Sequence, residues 1–418
     1  MNDDAPSPAP PAPTPADGGH ARALATVWFT LFLDLVAFGL IIPVLPFYAE
    51  HFGAAAWMVT LLSTVFSLAQ FVMSPVLGRL SDRHGRRRIM LISIAGSTSA
   101  LLLLGLATSL WMVFLARLLN GACNANVSTA HAYVADRVAP AERARYMGMM
   151  GSAIGIGFIV GPSLGGLLST PEMPHLPFYV GAALNFVNLV MAFFWLPESR
   201  HGEPGRPAVH AGPQVGPLAR LRLLVGGELR GTQIGVLATV SFGFYTAFAT
   251  MESTFALFTE REYQWTARET GYMFTYIGFT IAIVQGLVVG RLVPRLGERR
   301  TLYLGIGAMA AGFLLQGGVV SIPVLVLAGA LVAGGNGLIS PSLSALVSRA
   351  SSADDQGLNM GLVQSASSLG RISGPAAAGV LFEAISPRAP MICGGLLALV
   401  VLALALRSVR DPADAATA

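Results

Sequence analysis

The chain has 418 residues, of which 54% are apolar and only 11% charged, against roughly a quarter charged in an ordinary soluble domain. A large soluble core needs a polar surface, and this composition cannot supply one. The net charge of +4 follows the loops between apolar runs, so it does not call for nucleic-acid binding. Two cysteines, Cys123 and Cys393, lie far apart in apolar segments, which argues against a disulfide framework or a thiolate metal site.

Residues 1–23 are rich in Pro, Ala and Asp and lack a basic start followed by an apolar core, so a disordered cytoplasmic tail is expected there. Uncharged stretches then recur near the ~20 residues that cross a bilayer as a helix. Spans are expected near 24–47, 56–80, 89–108, 111–135, 147–169 and 178–197, forming a first half over 24–197. A connector rich in Gly, Pro and Arg covers 198–229. Six further spans follow near 231–258, 269–293, 301–319, 323–348, 358–382 and 389–407, a second half over 230–408, with a short tail over 409–418. Helices are required, because an isolated strand in lipid leaves backbone groups unpaired.

All basic residues counted as Lys+Arg are Arg. With both termini placed in the cytoplasm, 21 of the 26 arginines fall on the inner side and only Arg261, Arg268 and Arg388 on the outer. That asymmetry sets the expected orientation. Arg117 and Arg371 fall inside spans.

A basic loop occurs twice. Gly78-Arg-Leu-Ser-Asp82-Arg83-His-Gly85-Arg86-Arg87-Arg88 follows span 2, and Gly290-Arg-Leu-Val-Pro294-Arg295-Leu-Gly297-Glu298-Arg299-Arg300 follows span 8, offset by 212 residues. The repeat predicts two homologous halves around a midplane site. Gly78 and Gly85 allow tight turns, and Asp82 can pair with Arg or accept from a helix N-terminus, which would latch one conformation of the cytoplasmic face. The other reading makes Arg83, Arg86, Arg87 and Arg88 topology anchors only. Pro294 replaces the acid in the second copy, so any latch there is built differently.

Span 5 carries Gly155-Ile-Gly157-Phe-Ile-Val-Gly161-Pro162-Ser-Leu-Gly165-Gly166. Gly157, Gly161 and Gly165 lie on one side of a helix and let backbones approach, while Pro162 can bend it. Gly374-Pro375 in span 11 echoes Gly161-Pro162 at an offset of 213.

Charges inside the spans are few. A carboxylate or Arg at mid-bilayer costs roughly 2.5–3.5 kcal/mol on insertion scales and faces a cavity or a partner. Asp34 lies near the middle of span 1 and Glu252 in the outer half of span 7, equivalent places in the two halves. Asp34 reads either as a proton-coupling or cation-contact group or as a structural hydrogen-bond acceptor. Glu252 is either a site residue or part of the outer cavity wall. Arg117 and Arg371 carry the matching alternatives of site charge and structural ion pair. Phe38, Asn120, Asn124, Tyr245, Phe248, Gln285 and Asn336 are candidates for the cavity lining.

Together with Leu33-Asp34 through Gly39, Pro43 and Pro46 in span 1 and Arg117-Leu-Leu-Asn120-Gly121 in span 4, these motifs resemble the major facilitator superfamily. The resemblance is to its twelve-helix drug:proton antiporters and their tetracycline-efflux branch. It implies an all-α polytopic membrane protein of major facilitator fold. It implies no cofactor or metal, and partners limited to a small amphipathic substrate, protons and the bilayer, with a monomer in a bacterial inner or plasma membrane. The span 5 motif then marks export by antiport, and Arg117 a role in proton transfer. The tetracycline pumps carry further acids on spans 3 and 9, whereas residues 96–100 and 305–310 here contain none. A phosphate-binding loop of the Gly-x-x-x-x-Gly-Lys type is excluded by the absence of Lys, and no nucleophile–base pair suggests an enzyme.

Overall fold

The computed structural model describes residues 18–124, 126–138, 142–170, 172–198, 222–223, 226, 229, 231–318, 321–352 and 355–409. The expected tails at 1–17 and 410–418 and nearly all of the 198–229 connector lie outside the described residues.

The described chain is helical. The first half consists of α1 (Gly18–His51), α2 (Ala56–His84), α3 (Arg86–Gly105), α4 (Leu110–Cys123), α5 (Asn126–Arg137), α6 (Arg143–Leu168) and α7 (Leu176–Trp195). The second consists of α8 (Gln233–Tyr263), α9 (Ala267–Ile283), a π-helical turn (Val284–Val288), α10 (Val289–Gly318), α11 (Ile322–Arg349), α12 (Gln356–Ala384) and α13 (Ala389–Ser408). Nine helical segments are long and apolar enough to cross a membrane among the described residues. One of them, Ala267–Gly318, has 52 residues and is folded at Gly297, so it supplies two of the expected spans. Span 4 and the more polar span 11 complete twelve.

The fold differs from the sequence expectation in span 4. A continuous helix is expected over 111–135, but the chain breaks between α4 and α5. Asn124 adopts φ −82° and ψ 72°. Gln70 of α2 donates from Nε2 to Asn124 Oδ1 at 3.1 Å and to its carbonyl at 3.4 Å. A side chain from a neighbouring helix thus supplies hydrogen bonds at the break, the condition under which helix interruptions persist inside a membrane.

The two halves pack alike. α1 lies against α6 and α7, α3 against α4 and α7, and α2 against α4. In the second half α8 lies against α12 and α13, α10 against α11 and α13, and α9 against α11. The main contacts between halves, α2 with α12 and α6 with α9, exchange under the same equivalence. This is a pseudo-twofold bundle. Both basic loops, the start of α1 and the end of α13 sit at one end of the bundle, called here the loop end.

At the opposite end the halves are in contact. Gly379 of α12 packs on Thr60 and Trp57 of α2, and Gly166 of α6 sits against Gly271 of α9, with a built Cβ 3.1 Å from the Gly271 Cα. Glu383 Oε1 accepts from the Ala56 backbone N–H at 3.2 Å, and Arg261 Nη2 reaches Glu50 Oε1 at 3.8 Å.

The glycines of α6 have distinct jobs. A Cβ on Gly161 would lie 2.7 Å from the Val36 carbonyl and 2.9 Å from the Gly39 Cα; one on Gly157 would lie 2.6 Å from the Leu35 Cβ. Gly165 packs on the Leu40 backbone, and a Cβ on Gly39 would meet Pro162 Cδ at 2.9 Å. The stripe therefore seats α1 against α6, and Gly166 alone crosses to the other half. Gly155 faces open space. Gly161→Ala should consequently destabilise the protein by about 1–3 kcal/mol, the usual cost of overpacking, while Gly155→Ala, mid-helix with open space, should be neutral to stabilising by up to ~1 kcal/mol. Thermal unfolding of both variants in detergent checks the contrast.

Candidate transport cavity

A cavity of about 940 Å³ lies between the halves. It runs from Leu45, Pro46 and Val59 toward the loop end, where Gly78, Arg79 and Asp82 line it. With the far end closed by the contacts above, the cavity is accessible from the loop end.

Asp34 reaches this cavity from the middle of α1, with only 4% of its surface exposed. Asn126, at the start of α5, donates from Nδ2 to Asp34 Oδ1 at 3.1 Å. The α4–α5 break brings these residues together, since it re-aims the chain just before Asn126. Arg117 of α4 is also 4% exposed and lines the same space. Its guanidinium lies 4.3 Å from the centre of the Phe66 ring, and its Nε and Nη1 meet no acceptor among the described residues.

From the other half, α8 contributes Glu252 and α12 contributes Arg371. The Arg371 guanidinium sits 5.1 Å over the Tyr245 ring and donates from Nη2 to Ser368 Oγ at 3.2 Å. Both arginines act electrostatically on Glu252. The cavity thus brings Asp34, Arg117, Glu252 and Arg371 to one space.

Phe38 and Asn124 also line the cavity. Asn120 lies beside it, in a small pocket shared with Asp34, Asn124 and Asn185. Tyr245 stands behind Arg371, and Phe248 packs near Phe244 within the core. Gln285 is exposed on the π-helical turn and Asn336 is partly buried in α11; neither lines the cavity. Sequence reasoning missed a polar face on α2 formed by Ser63, Ser67, Gln70 and Ser74, and another on α12 formed by Gln364, Ser365 and Ser368. The signal was present, because spacings of three and four residues put each set on one side of a helix.

The 78–88 loop is organised by Arg86, which is 7% exposed. It pairs with Asp82 Oδ1 at 2.7 Å and Asp136 Oδ2 at 3.1 Å, and donates from Nη1 to Ser81 Oγ at 2.7 Å. Glu198 Oε1 accepts from the Arg86 backbone N–H at 2.8 Å. Gly85 turns the chain at φ +99° and leaves room for Glu198, whose Cδ would lie 2.8 Å from an added Cβ. Gly78, by contrast, has open space around it. Arg87 donates to the Phe193 carbonyl, whereas Arg83 is exposed. In the second loop Gly297 repeats the turn at φ +78°, and Glu298, in the place of Arg86, pairs with Arg349 at 2.6 Å. Asp136 and Arg349 close the equivalent spans 4 and 10, so the ion pair is kept with its charges reversed.

A pseudo-twofold helical bundle, a central cavity and a basic turn repeated with an ion pair in each half match one known architecture. Residues 27–315 and 237–418 match the family model of the Major Facilitator Superfamily. The chain belongs to the major facilitator superfamily. Among its relatives in that family, the class G tetracycline resistance protein of Vibrio anguillarum is 35% identical over 369 residues, covering 84% of this chain and 88% of the relative. The human organic anion transporter MFSD10 has a crystal structure that matches with a TM-score of 0.70 at 28% identity, over 93% of this chain and all of that one. The nucleoside transporter NupG shares the fold, with a TM-score of 0.73 at 15% identity over 93% of this chain and 99% of the other. The protein is a multi-pass membrane transporter of this superfamily.

The reversed ion pairs differ in burial, and so in expected weight. Arg86 has 9% of its side chain exposed, whereas Arg349 has 57%. Arg86→Gln removes a buried cation that ties together two carboxylates, 28% and 27% exposed, and should cost about 1.5–3 kcal/mol. Glu298→Gln removes a pair with one solvated partner and should cost under ~1 kcal/mol. Unfolding temperatures of the two variants in detergent test the ranking.

Proposed function

We propose that this protein is a proton-coupled exporter of small amphipathic compounds, working by antiport and alternating access. The observation that carries the reading is Asp34, a buried carboxyl group facing a cavity accessible from one end only. A group so placed can exchange a proton with one side of the membrane at a time. The arginine asymmetry of the sequence puts the loop end in the cytoplasm, so this conformation is read as inward-facing, in a cell membrane with cytoplasmic termini.

The cavity suits an amphipathic substrate. Its volume lies within the range of drug-sized sites, and Phe38, Phe66 and Phe158 supply apolar surface beside the polar faces of α2 and α12. The tetracycline resistance relatives favour export of a drug-like compound. Proton entry drives the cycle, with an electrical part of about 2.3 kcal/mol per charge per 100 mV. Glu252 and Arg117 tune the charge around the site. In the inward-facing state Asp82 is held by Arg86 of its own loop. When the cytoplasmic end closes, the 78–88 loop approaches the other half and Asp82 serves as the latch.

Asp34→Asn should abolish proton-driven transport while leaving an inserted, folded protein with unchanged thermal unfolding. The measurement uses proteoliposomes with an imposed pH gradient and a panel of fluorescent amphiphiles, followed in both directions. Wild-type gradient dependence in the variant refutes the role of Asp34. Substrate movement in the same direction as the proton turns the reading to a carrier of the import type.

A further inference from the structure

Arg117 and Arg371 face one cavity from opposite halves, and among the described residues neither has a carboxylate oxygen within 4.0 Å. Arg117 is the more demanding of the two. It is 4% exposed, and its Nε and Nη1 donate to nothing among the described residues. The Phe66 face beneath it, at 4.3 Å, offsets part of the charge but accepts no in-plane N–H. Arg371 rests on Tyr245 and uses Nη2 on Ser368. Glu252 acts on both cations electrostatically yet lies beyond ion-pair distance of either. Asp34, the other deep acid, receives the Asn126 amide.

Two guanidinium groups on opposite sides of the cavity, sharing one carboxylate that is within ion-pair distance of neither, leave open donors facing the space between them. A buried cation left in that state is strongly unfavourable, and guanidinium donors match a carboxylate in a planar, two-pronged way. We infer that Arg117 and Arg371 form a subsite for an anionic, carboxylate-class group of the transported compound.

The sign of coupling narrows the class further; this step rests on the proton-antiport reading. A proton arriving on Asp34 makes the cavity more positive, so it would favour a purely anionic substrate and not expel it. Antiport needs a substrate group that competes with the proton, and that group is cationic. The transported compound is therefore a zwitterionic amphiphile, with its anionic group on the two arginines and its cationic group toward the acids.

The test compares two dyes that differ in one charge, rhodamine B with a free carboxylate and its ethyl ester, which is a cation only. Binding to the purified full chain in detergent is followed by fluorescence polarisation at neutral pH. The wild type should prefer rhodamine B by about tenfold or more, the scale of a charge-assisted hydrogen bond. Arg371→Gln should erase the preference by weakening rhodamine B, with ester affinity at or above the wild-type value and the unfolding temperature unchanged, and Arg371→Lys should keep part of the preference. Equal or inverted affinities in the wild type, a parallel loss of both dyes in Arg371→Gln, or binding of neither dye overturns the subsite. No gradient is involved, so a preserved preference alongside failed proton coupling would refute the export reading and leave the subsite standing.

Discussion

A carboxyl group in the middle of a helical bundle has to be hydrated, paired or hydrogen-bonded, and at Asp34 that requirement is met by breaking a helix. The interruption at Asn124 exposes backbone groups that lipid could not satisfy. Gln70 meets them from α2. Two residues further on, Asn126 turns its amide to Asp34. Removing the break would return α4 and α5 to one straight helix and take the Asn126 donor away from α1. Asp34, the cavity wall and the helix break thus form one dependent unit, and the glycine seat of α1 on α6 holds that unit in register.

The alternating-access cycle proposed above would draw on the same economy of small contacts. The closed end rests on glycine surfaces, Gly166 against Gly271 and Gly379 against Thr60 and Trp57. Surfaces without side chains slide and separate without repacking a core, which keeps two arrangements within the few kcal/mol that a substrate or a proton can shift. The basic turns at the other end have opposite design. Arg86 is buried and tied to two carboxylates and a hydroxyl, so the loop is fastened to its own half. The second loop holds a more solvated pair, Glu298 with Arg349. The duplication preserved the position of an ion pair and not its polarity, because only the attraction matters for joining the ends of two helices.

Most of the architecture was legible because bilayer thickness imposes a length on apolar runs, and because duplicated turns keep Gly85 and Gly297 where the backbone takes positive φ. The glycine stripe of span 5 was legible for a similar reason, since a four-residue spacing has one geometric meaning. The break at Asn124 was not. It has no proline or glycine at the break, and the partner that permits it, Gln70, is 54 residues away in sequence. Gln285 and Asn336 show the complementary difficulty. A polar residue on a helix indicates hydrogen-bonding capacity but not which way the helix is turned. The faces of α2 and α12 could be oriented by their repeated serines, whereas a lone Gln or Asn could not.

The acids missing from spans 3 and 9 have a physical counterpart. Gly96 packs on the side chain of Cys123, and a Cβ at Gly305 would lie 2.8 Å from Ile339 Cγ1 and 3.0 Å from the Gly335 carbonyl. Ser97 beside the first is 2% exposed with its hydroxyl unpaired among the described residues. These helices are committed to close packing within their own halves, with no room for a solvated carboxylate at either glycine. The charges that remain in the deep cavity are two acids and two arginines, placed so that each half contributes one of each. Such a set is balanced as a whole and polarised locally. If the halves rock apart as proposed, one acid and one arginine would move with each half, so the local field at the site would change while the net charge would not. On the proposed antiport reading, a proton added to that set changes the net charge by a full unit, so a single carboxyl group would be enough to couple it.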